Sequence, residues 1–403
     1  MLTLDQARQR ILDAVTVCPV VEVSLASARG LVLAEAAIAD EPIPNFAHAG
    51  AEGYAVRAED ITDASPDDPD YLTVIGTARP GAATALVVQP GEAVRVYTGA
   101  SLPDGANAIV KLEFARPAGP DMVEVDHAVP RGQYVKPVGN DVASGTVVLP
   151  AEMPLTAAAI GMLAAMGRNR VKVHRRPRIA VLSTGDELVR PGEKRKDGQI
   201  YDTNSEALAA QIAEAGGELA SSVLVRDTAP ALRSALMELP PCEAVVCSGG
   251  VSVGDFDYVR DVVGQLGDVE FDQVAMRPGG PFAFGTLDGR LFYGLPGSPV
   301  GSYAAFELLV RPAVRKMLGF SRVLRPEVCA TLDERLTHTR GRREYMRAQT
   351  VFGPEGAVVR VIGDHDNAIM SSMALANSLV VVPEDTAELP AGSTVRVLWL
   401  SEL

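Results

Sequence analysis

The sequence predicts a multidomain α/β protein whose central part, from Arg176 to about Leu318, is a doubly wound α/β domain. Apolar strands alternate there with helices of about 10–15 residues, which is typical of βαβ units and a parallel sheet. Each strand ends in a loop where such sheets bind ligands. The predicted strands are Arg178–Leu182, Glu218–Val225, Ala244–Cys247, Val269–Ala275 and Leu291–Gly294, and the predicted helices are Ser205–Ala215, Ala229–Leu239, Tyr258–Leu266 and Gly301–Met317.

The chain before this domain begins with a helix and continues as a small all-β unit. Thr3 and Gln6 form a predicted capping box, and apolar residues recur at helical spacing to about Val17. A second helix is expected at Ser24–Leu33. From there to about Val142, β-like runs are separated by Gly, Pro and Asp turns. These runs are Tyr71–Ile75, Ala93–Thr98, Ala108–Leu112 and Met122–Val125.

Two further segments complete the chain. Leu155–Met166 reads as a helix of small apolar residues, which either packs on the first helices or forms a dimer contact. Past Leu318 the alternation stops, and an independent β domain is expected. Its predicted strands are Val328–Leu332, Tyr345–Val351, Ala357–Ile362, Ser378–Val382 and Thr394–Leu398.

Composition excludes several classes of protein. No apolar run among the 403 residues reaches the roughly 18 that a membrane span needs, and nothing resembles a signal peptide, so we expect a soluble cytoplasmic protein. The formal net charge of −14, without a Lys/Arg-rich run, argues against nucleic-acid binding. The four cysteines are too scattered for a disulfide framework or a CxxC metal site.

Three strand-end loops form the predicted ligand site: Ser183–Glu187, Ser248–Asp257 and Leu295–Pro299. Gly249 and Gly250 allow the backbone N–H groups to approach an anion. The hydroxyls are those of Ser183, Thr184, Ser248 and Ser298. A Gly-Gly pair alone is equally explained by a tight turn, but three such loops on one sheet predict a cradle for a phosphate-bearing ligand.

Charged side chains accompany these loops. Mg²⁺ commonly uses one or two carboxylates together with substrate phosphates, and Asp186, Glu187 and Asp257 are the predicted ligand or metal residues. Asp202 and Asp227 are expected to cap helices instead. Arg277 lies between short, rigid residues and is expected to pair with phosphate. The alternative is that it is a surface arginine in a turn.

The residues of these loops resemble the molybdenum insertases, the MoeA family that includes the C-terminal part of gephyrin. The resemblance rests on Ser248–Asp255, Ser183–Leu188, Gly198–Asn204, Met276–Gly279 and Gly294–Gly297. It extends in family order to Gly53–Val56, Tyr97–Ala100, Pro103–Ala106, Gly341–Tyr345 and Ser371–Asn377. It therefore covers essentially the whole chain, and the Ser-Gly-Gly-Val-Ser-Val-Gly run is highly specific.

The resemblance implies a four-part chain in a homodimer. The parts are a segmented N-terminal domain at 1–42 and 143–173, an inserted β unit at 43–142, a molybdopterin-binding α/β domain at 174–321 and a C-terminal β domain at 322–403. In this family the cleft lies between the α/β domain of one subunit and the inserted unit of the other. The implied reaction inserts molybdate into adenylylated molybdopterin with Mg²⁺, giving molybdenum cofactor and AMP. An adenylyltransferase upstream and molybdoenzymes downstream are the implied partners.

Functional positions carry over from the resemblance as expectations. The implied catalytic carboxylates are Glu52, Asp227 and Asp257. The implied substrate-binding residues are Thr98, Asp141, Ser183, Thr184, Glu187, Ser248, Gly249, Gly250, Ser252, Arg277, Pro296, Gly297 and Ser298, and the implied metal ligands are Asp186, Glu187 and Asp257.

Some positions depart from the family pattern. Glu52 stands where an aspartate is usual, Gly280 replaces a lysine and Ser298 an asparagine. Lys111 and Lys136 are the candidates to restore the charge lost at Gly280. These departures leave alternatives open: a weakened or altered paralogue that handles tungstate or stores cofactor, and an interaction or scaffold protein.

Overall fold

A computed structural model describes residues 1–250, 258–363 and 369–400, and of residues 258–260 it describes the backbone alone. The chain divides into two compact units. The first unit comprises Met1–Glu35, Glu152–Thr156 and Arg170–Leu403, and the second comprises Ala36–Ala151 and Ala157–Asn169. The four-part boundaries expected from the resemblance stay a prediction.

The second unit is built on a β-sheet, as the sequence predicts. Its strands lie in the order Ala108–Lys111, Gly53–Val56, Glu92–Val96, Asp70–Ala78, Met122–Val125 and Ala115–Pro117. All four residues of Gly53–Val56 are buried, because Tyr54 and Val56 face one apolar cluster and Ala55 faces another. Shorter pairs join Ala37–Ile38 to Val147–Leu149 and His48–Ala49 to Val135–Lys136; helical segments are Ala58–Ile61, Leu112–Phe114 and Ala157–Ala165.

The first unit opens with the helix Leu4–Ala14. The predicted capping box is confirmed: the Thr3 hydroxyl accepts from Gln6 N at 3.2 Å, and Thr3 N donates to Gln6 Oε1 at 3.0 Å. The helix expected at Ser24–Leu33 is wrong in extent. Only Leu25–Ala28 is helical, since the preceding residues form the strand Val20–Ser24, which pairs with Arg170–His174.

The α/β domain of this unit contains one six-stranded sheet among the described residues. Its order is Glu218–Val225, Arg178–Thr184, Ala244–Ser248, Arg290–Leu295, Pro281–Leu287 and Gly267–Gln273. Its helices are Asn204–Ala215, Ala229–Met237, Tyr258–Leu266 and Pro299–Met317, the last containing a π-helical stretch at Phe306–Val310; a short pair, Leu188–Val189 with Ile200–Tyr201, follows the strand Arg178–Thr184.

The predicted parallel pairing is confirmed for the strands Glu218–Val225, Arg178–Thr184, Ala244–Ser248 and Arg290–Leu295, but the sheet also contains a strand that was not predicted. The strand Pro281–Leu287 runs antiparallel to both of its neighbours. It is joined to Arg290–Leu295 by Asp288-Gly289, both with positive φ (49° and 74°), as a two-residue hairpin turn requires. The Asp-Gly dipeptide was the sequence signal for this hairpin.

The C-terminal part of the first unit is a second sheet. Its order is Met276–Arg277, Arg343–Gly353, Gly356–Val361, Glu327–Leu332, Thr394–Trp399 and Ser378–Val382, and it closes because Ser378–Val382 also pairs with Arg343–Gly353. Leu336–Thr337 pairs with Glu388–Leu389, and Met370–Leu375 is helical. Met276–Arg277 comes from the α/β domain, so this edge strand joins the two sheets.

None of the helices in the described part of the chain combines the length and the apolar character that a bilayer crossing demands.

Candidate functional site

The ends of the parallel strands meet at one edge of the α/β sheet. Ser248 is the register partner of Ser183 on one side and of Leu295 on the other. Thr184 is the partner of Val225. Because Thr184, Val225, Ser248 and Leu295 are the last residues of their strands, the loops that follow them emerge side by side, as the sequence predicts.

A buried network of neutral groups holds these loops. The Ser183 and Ser205 hydroxyls lie 2.9 Å apart. Asn204 Nδ2 donates to Ser248 Oγ and to Gly297 O, each at 2.8 Å, and Ser248 Oγ donates to Pro296 O at 3.3 Å. Ser183 and Ser248 are 1% and 2% exposed, so their hydroxyls fix the loops to one another. Direct ligand contact by these two serines stays a prediction.

Asn204 is a functional candidate that the residue-by-residue reading of the sequence missed. It begins the helix Asn204–Ala215 and connects two strand-end loops through one amide group. Thr203 is the N-cap residue of this helix, and the Asp202 carboxylate provides the predicted cap hydrogen bond by accepting from Ser205 N at 3.0 Å. The signal for Asn204 was its position at the end of the Gly198–Asn204 motif.

Glycines bring the backbones of the three loops together. Gly249 has φ +91°, and a Cβ there would lie 2.9 Å from Thr184 O and 3.0 Å from Thr184 Oγ1. A Cβ on Gly297 would lie 3.6 Å from Gly249 Cα. Gly250 also has positive φ, at 66°. The close approach of the loops therefore depends on the missing side chain at Gly249.

Thr184 carries an unsatisfied hydroxyl at this junction. Its Oγ1 is buried and has no hydrogen-bond partner among the described residues. Buried polar groups are nearly always hydrogen-bonded, so an orphan at a strand end indicates a missing partner such as a ligand oxygen. Of the four predicted hydroxyls, this is the one that is buried without a partner among the described residues.

The predicted carboxylates occupy different environments. Asp186 and Glu187 are exposed on the loop after Thr184, and the Glu187 carboxylate folds back so that a Cβ on Gly185 would lie 2.7 Å from its Oε2. Asp227 is half-buried beyond the neighbouring strand end. Burial and then the Asp227 charge raise the pKa of Cys247, in the central strand, to about 12.

Asp227 and Asp257 are the remaining predicted carboxylates of this domain. The prediction that Asp227 caps a helix is wrong, because Thr228 is the N-cap of Ala229–Met237 and accepts from Ala231 N at 3.4 Å. Asp257 and Ser252 lie outside the described residues. Within residues 1–250, 258–363 and 369–400, no three His, Cys, Asp or Glu side chains converge as a metal site.

Arg277 is anchored by one neighbour. Its Nε lies 3.4 Å from Oε1 of the buried Glu344, its partner in the parallel strand register, and the side chain is 47% exposed. His338 lies on the other oxygen of Glu344, with Nε2 3.4 Å from Oε2. Arg277 therefore keeps part of its guanidinium in solvent while its orientation is fixed.

The last loop, Pro296-Gly297-Ser298, leads into the helix that begins at Pro299. A Cβ on Gly301 would lie 2.5 Å from Ser298 Oγ. Ser298 departs from the family pattern, and its hydroxyl occupies space that a side chain at position 301 would need.

The second unit holds the remaining predicted residues. Glu52 Oε1 accepts from Arg95 Nη2 at 2.7 Å, and the Arg95 guanidinium lies over the rings of Tyr54 and Tyr97, 5.5 and 5.0 Å from their centroids. Thr98 is exposed just beyond the strand Glu92–Val96, which contains Arg95. Arg95 was not foreseen, because its contact with Glu52 depends on the strand register Gly53↔Val96.

Other polar residues of the second unit lie in separate surroundings. Asp141 is exposed in a turn, and its backbone N donates to Ile43 O at 3.0 Å. Lys111 Nζ lies 4.5 Å from the centroid of the Tyr134 ring, and the Lys136 stem packs against Gly50. Both lysines are thus held by contacts within this unit.

Comparison with known proteins agrees with this geometry. Family models match residues 2–167 as the MoeA N-terminal region (domain I and II), 180–316 as a probable molybdopterin binding domain, and 329–400 as the MoeA C-terminal region (domain IV). The chain is 36% identical to molybdopterin molybdenumtransferase 2 of Mycobacterium tuberculosis H37Rv, over 98% of this chain and 99% of that protein.

More distant relatives extend the similarity. Molybdopterin molybdenumtransferase of Haemophilus influenzae is 31% identical over 98% of each chain. The crystal structure of a molybdopterin biosynthesis MoeA protein from Pyrococcus horikoshii superposes with a TM-score of 0.84 at 30% identity, covering 100% of both chains. The chain belongs to the MoeA family.

Proposed function

We propose that this protein is a molybdopterin molybdenumtransferase, which inserts molybdate into adenylylated molybdopterin, releases AMP and gives molybdenum cofactor. Relatives that carry this name align with it from end to end. The structural observation that supports the proposal best is the orphaned Thr184 hydroxyl at a junction of three strand-end loops. A donor held there without a protein partner suits a substrate oxyanion.

The residues of the α/β domain would bind and orient the anionic part of the substrate. The Thr184 hydroxyl would donate to an oxygen of the ligand, and Arg277 would contribute the exposed part of its guanidinium. The Ser183, Asn204 and Ser248 network would keep the loops in place without moving during the reaction. Such preorganised donors stabilise developing negative charge at little reorganisation cost.

The described residues would supply only part of the ligands of a magnesium ion. Asp186 and Glu187 offer exposed carboxylates beside the anion cradle, and Mg²⁺ is commonly held by one or two carboxylates plus substrate phosphates. An ion held mainly by the substrate suits this arrangement, and Asp257 is the third proposed ligand. Bound there, Mg²⁺ would offset phosphate charge.

We assign the catalytic roles to Glu52, Asp227 and Asp257, carboxylates that would position water or the metal. Thr98 and Asp141 are assigned to substrate binding from the second unit. A homodimer in the cytoplasm, supplied by an adenylyltransferase and serving molybdoenzymes, completes the proposal.

A weakened paralogue or a scaffold protein is not favoured. Glu52 pairs with Arg95, and the absence of a side chain at Gly301 leaves room for the Ser298 hydroxyl, so both departures are accommodated by their surroundings. Relatives named as the enzyme span the whole chain.

The test is AMP release by the purified protein with adenylylated molybdopterin, molybdate and Mg²⁺. We expect turnover in the wild type and a loss of about tenfold or more in Thr184→Val, which removes the hydroxyl but keeps the shape. Thr394→Val, at an exposed strand position, is the matched control and should retain full activity. Absence of AMP above background in the wild type would refute the proposal.

A further inference from the structure

Arg342 is an exposed arginine beside the loop that contains Gly279 and Gly280. The strand pairing Met276↔Arg343 and Arg277↔Glu344 brings the residue before Arg343 against this loop. A Cβ on Gly280 would lie 3.9 Å from Arg342 Nη1, so the guanidinium lies over Gly280.

This loop is in contact with the anion cradle. A Cβ on Gly279 would lie 3.0 Å from Gly301 O, within the first turn of the helix that starts at Pro299. Gly301 lies against Ser298 Oγ. The residue before Ser298 in the chain, Gly297, is in turn close in space to Gly249 of the cradle. The guanidinium of Arg342 therefore lies on the same side of the domain as the strand-end loops.

The arginines around it differ in how their charge is used. Arg343 is bound to Asp5 at 3.0 Å and to Glu384 at 3.2 Å. Arg277 is bound to Glu344 at 3.4 Å. The guanidinium of Arg342 makes no ion pair or hydrogen bond with residues 1–250, 258–363 and 369–400, so within that part of the chain its charge is not neutralised.

A free cation at this place has a physical use. The chain carries a formal net charge of −14, so its overall field repels anions, and an anionic ligand must be attracted by local groups. A guanidinium offers two parallel donors to a tetrahedral oxyanion. Gly280 has no side chain that would compete with Arg342 for the space above the loop.

We propose that Arg342 binds a tetrahedral oxyanion of the substrates, either a phosphate or molybdate, at the edge of the strand-end cradle. The identity of this anion rests on the proposed function, whereas the presence of an anion site rests on the position of the guanidinium. Arg342 is thus a substrate-binding residue that supplies charge from the C-terminal sheet to a site on the α/β domain.

The test measures binding of two probes, inorganic molybdate and AMP, to the full chain by calorimetry. Arg342→Gln should raise the Kd of at least one probe about tenfold, and Arg342→Lys, which keeps the charge but not the fork, should raise it less. The probe that is weakened identifies the anion as molybdate or as phosphate. The thermal unfolding midpoint of Arg342→Gln should match the wild type, because the side chain is exposed.

Arg340→Gln is the matched control, since it removes the same charge from an exposed position two residues away. It should change either Kd less than twofold. The proposal is overturned if Arg340→Gln weakens binding as much as Arg342→Gln, if Arg342→Gln binds both probes like the wild type, or if the wild type binds neither.

AMP release separates this inference from the proposed function. If the wild type binds a probe through Arg342 but releases no AMP, the anion site stands and the transferase function fails. If the wild type turns over and Arg342→Gln has the same KM and kcat for every substrate, the function stands and the role of Arg342 fails. A raised KM with kcat retained supports both.

Discussion

The strand-end loops of the first unit and the Glu52 region of the second unit are built on opposite principles. The loops are held by neutral groups: Ser183 and Ser248 are buried, and the half-buried Asn204 donates to Ser248 and Gly297. Glu52 is held by a charge pair with Arg95 whose side chains are 45% and 20% exposed. Buried hydrogen bonds are costly to break, whereas an exposed ion pair contributes little to stability. The first region should tolerate few substitutions and the second should tolerate many.

Gly249→Ala is expected to have the largest effect. The residue has φ +91°, and the new Cβ would meet the Thr184 carbonyl oxygen at 2.9 Å, a backbone atom that cannot rotate away. The loops must separate, and AMP release should fall about a hundredfold, since small displacements at a reacting centre are amplified. Gly30→Ala is the control: φ is +76° but nothing lies within 4 Å of the Cβ, so only about 1–2 kcal/mol of backbone strain is expected, with activity retained. Equal effects of both variants on AMP release would contradict the close-contact explanation.

Ser248→Ala should have an intermediate effect. It deprives Asn204 Nδ2 of one acceptor and Pro296 O of a donor inside a buried site, at a cost of about 1–3 kcal/mol in the free energy of unfolding. Chemical denaturation measures this cost. The matched control is Ser234→Ala, whose exposed hydroxyl donates to Glu238 and should contribute less than about 0.5 kcal/mol. If the two variants were equally stable, the buried network would have no special role.

Glu52→Gln should have the smallest effect on stability. Loss of its pairing with Arg95 should lower the free energy of unfolding by about 0.2–1 kcal/mol. The difference should vanish at about 1 M salt, where the Debye length shrinks to roughly 3 Å. Glu22→Gln, in the exposed Glu22–Arg170 pair at 3.0 Å, provides a reference of the same kind.

AMP release by Glu52→Gln should nevertheless fall, because we assign a catalytic role to Glu52; full activity would remove that assignment. A salt-independent loss above about 2 kcal/mol would instead place Glu52 with the buried network.

The sequence predicts the α/β domain and its loops because the signals are local. Apolar strands, helical periodicity and the Thr3/Gln6 capping box each extend over a few neighbouring residues. The strand Pro281–Leu287 escaped because its apolar run was not connected with the Asp-Gly turn that follows it. The Asp288-Gly289 turn is a local signal for a hairpin. The order of strands in the sheet is a long-range property that such a local signal does not specify.

The sequence predicted that the strand-end loops lie side by side, but it did not predict the contacts between side chains. Thr184, Gly249 and Arg277 follow from their positions at strand ends or in rigid loops. The Glu52–Arg95 pair, the Arg277–Glu344 pair and the position of Arg342 over Gly280 each join segments more than 40 residues apart. Such contacts depend on strand register, which spacing along one chain does not specify.

The pairing of Met276–Arg277 with Arg343–Gly353 limits how freely the C-terminal domain can be exchanged during evolution or protein engineering. A transplanted domain must restore a two-residue register, because a slip of one residue turns the Glu344 carboxylate to the opposite face of the strand and leaves Arg277 without its anchor. Chimaeras joined near residue 322 should therefore be screened for this register before they are screened for catalysis. The C-terminal domain is continuous in sequence, but the edge strand of its sheet, Met276–Arg277, is supplied by the α/β domain.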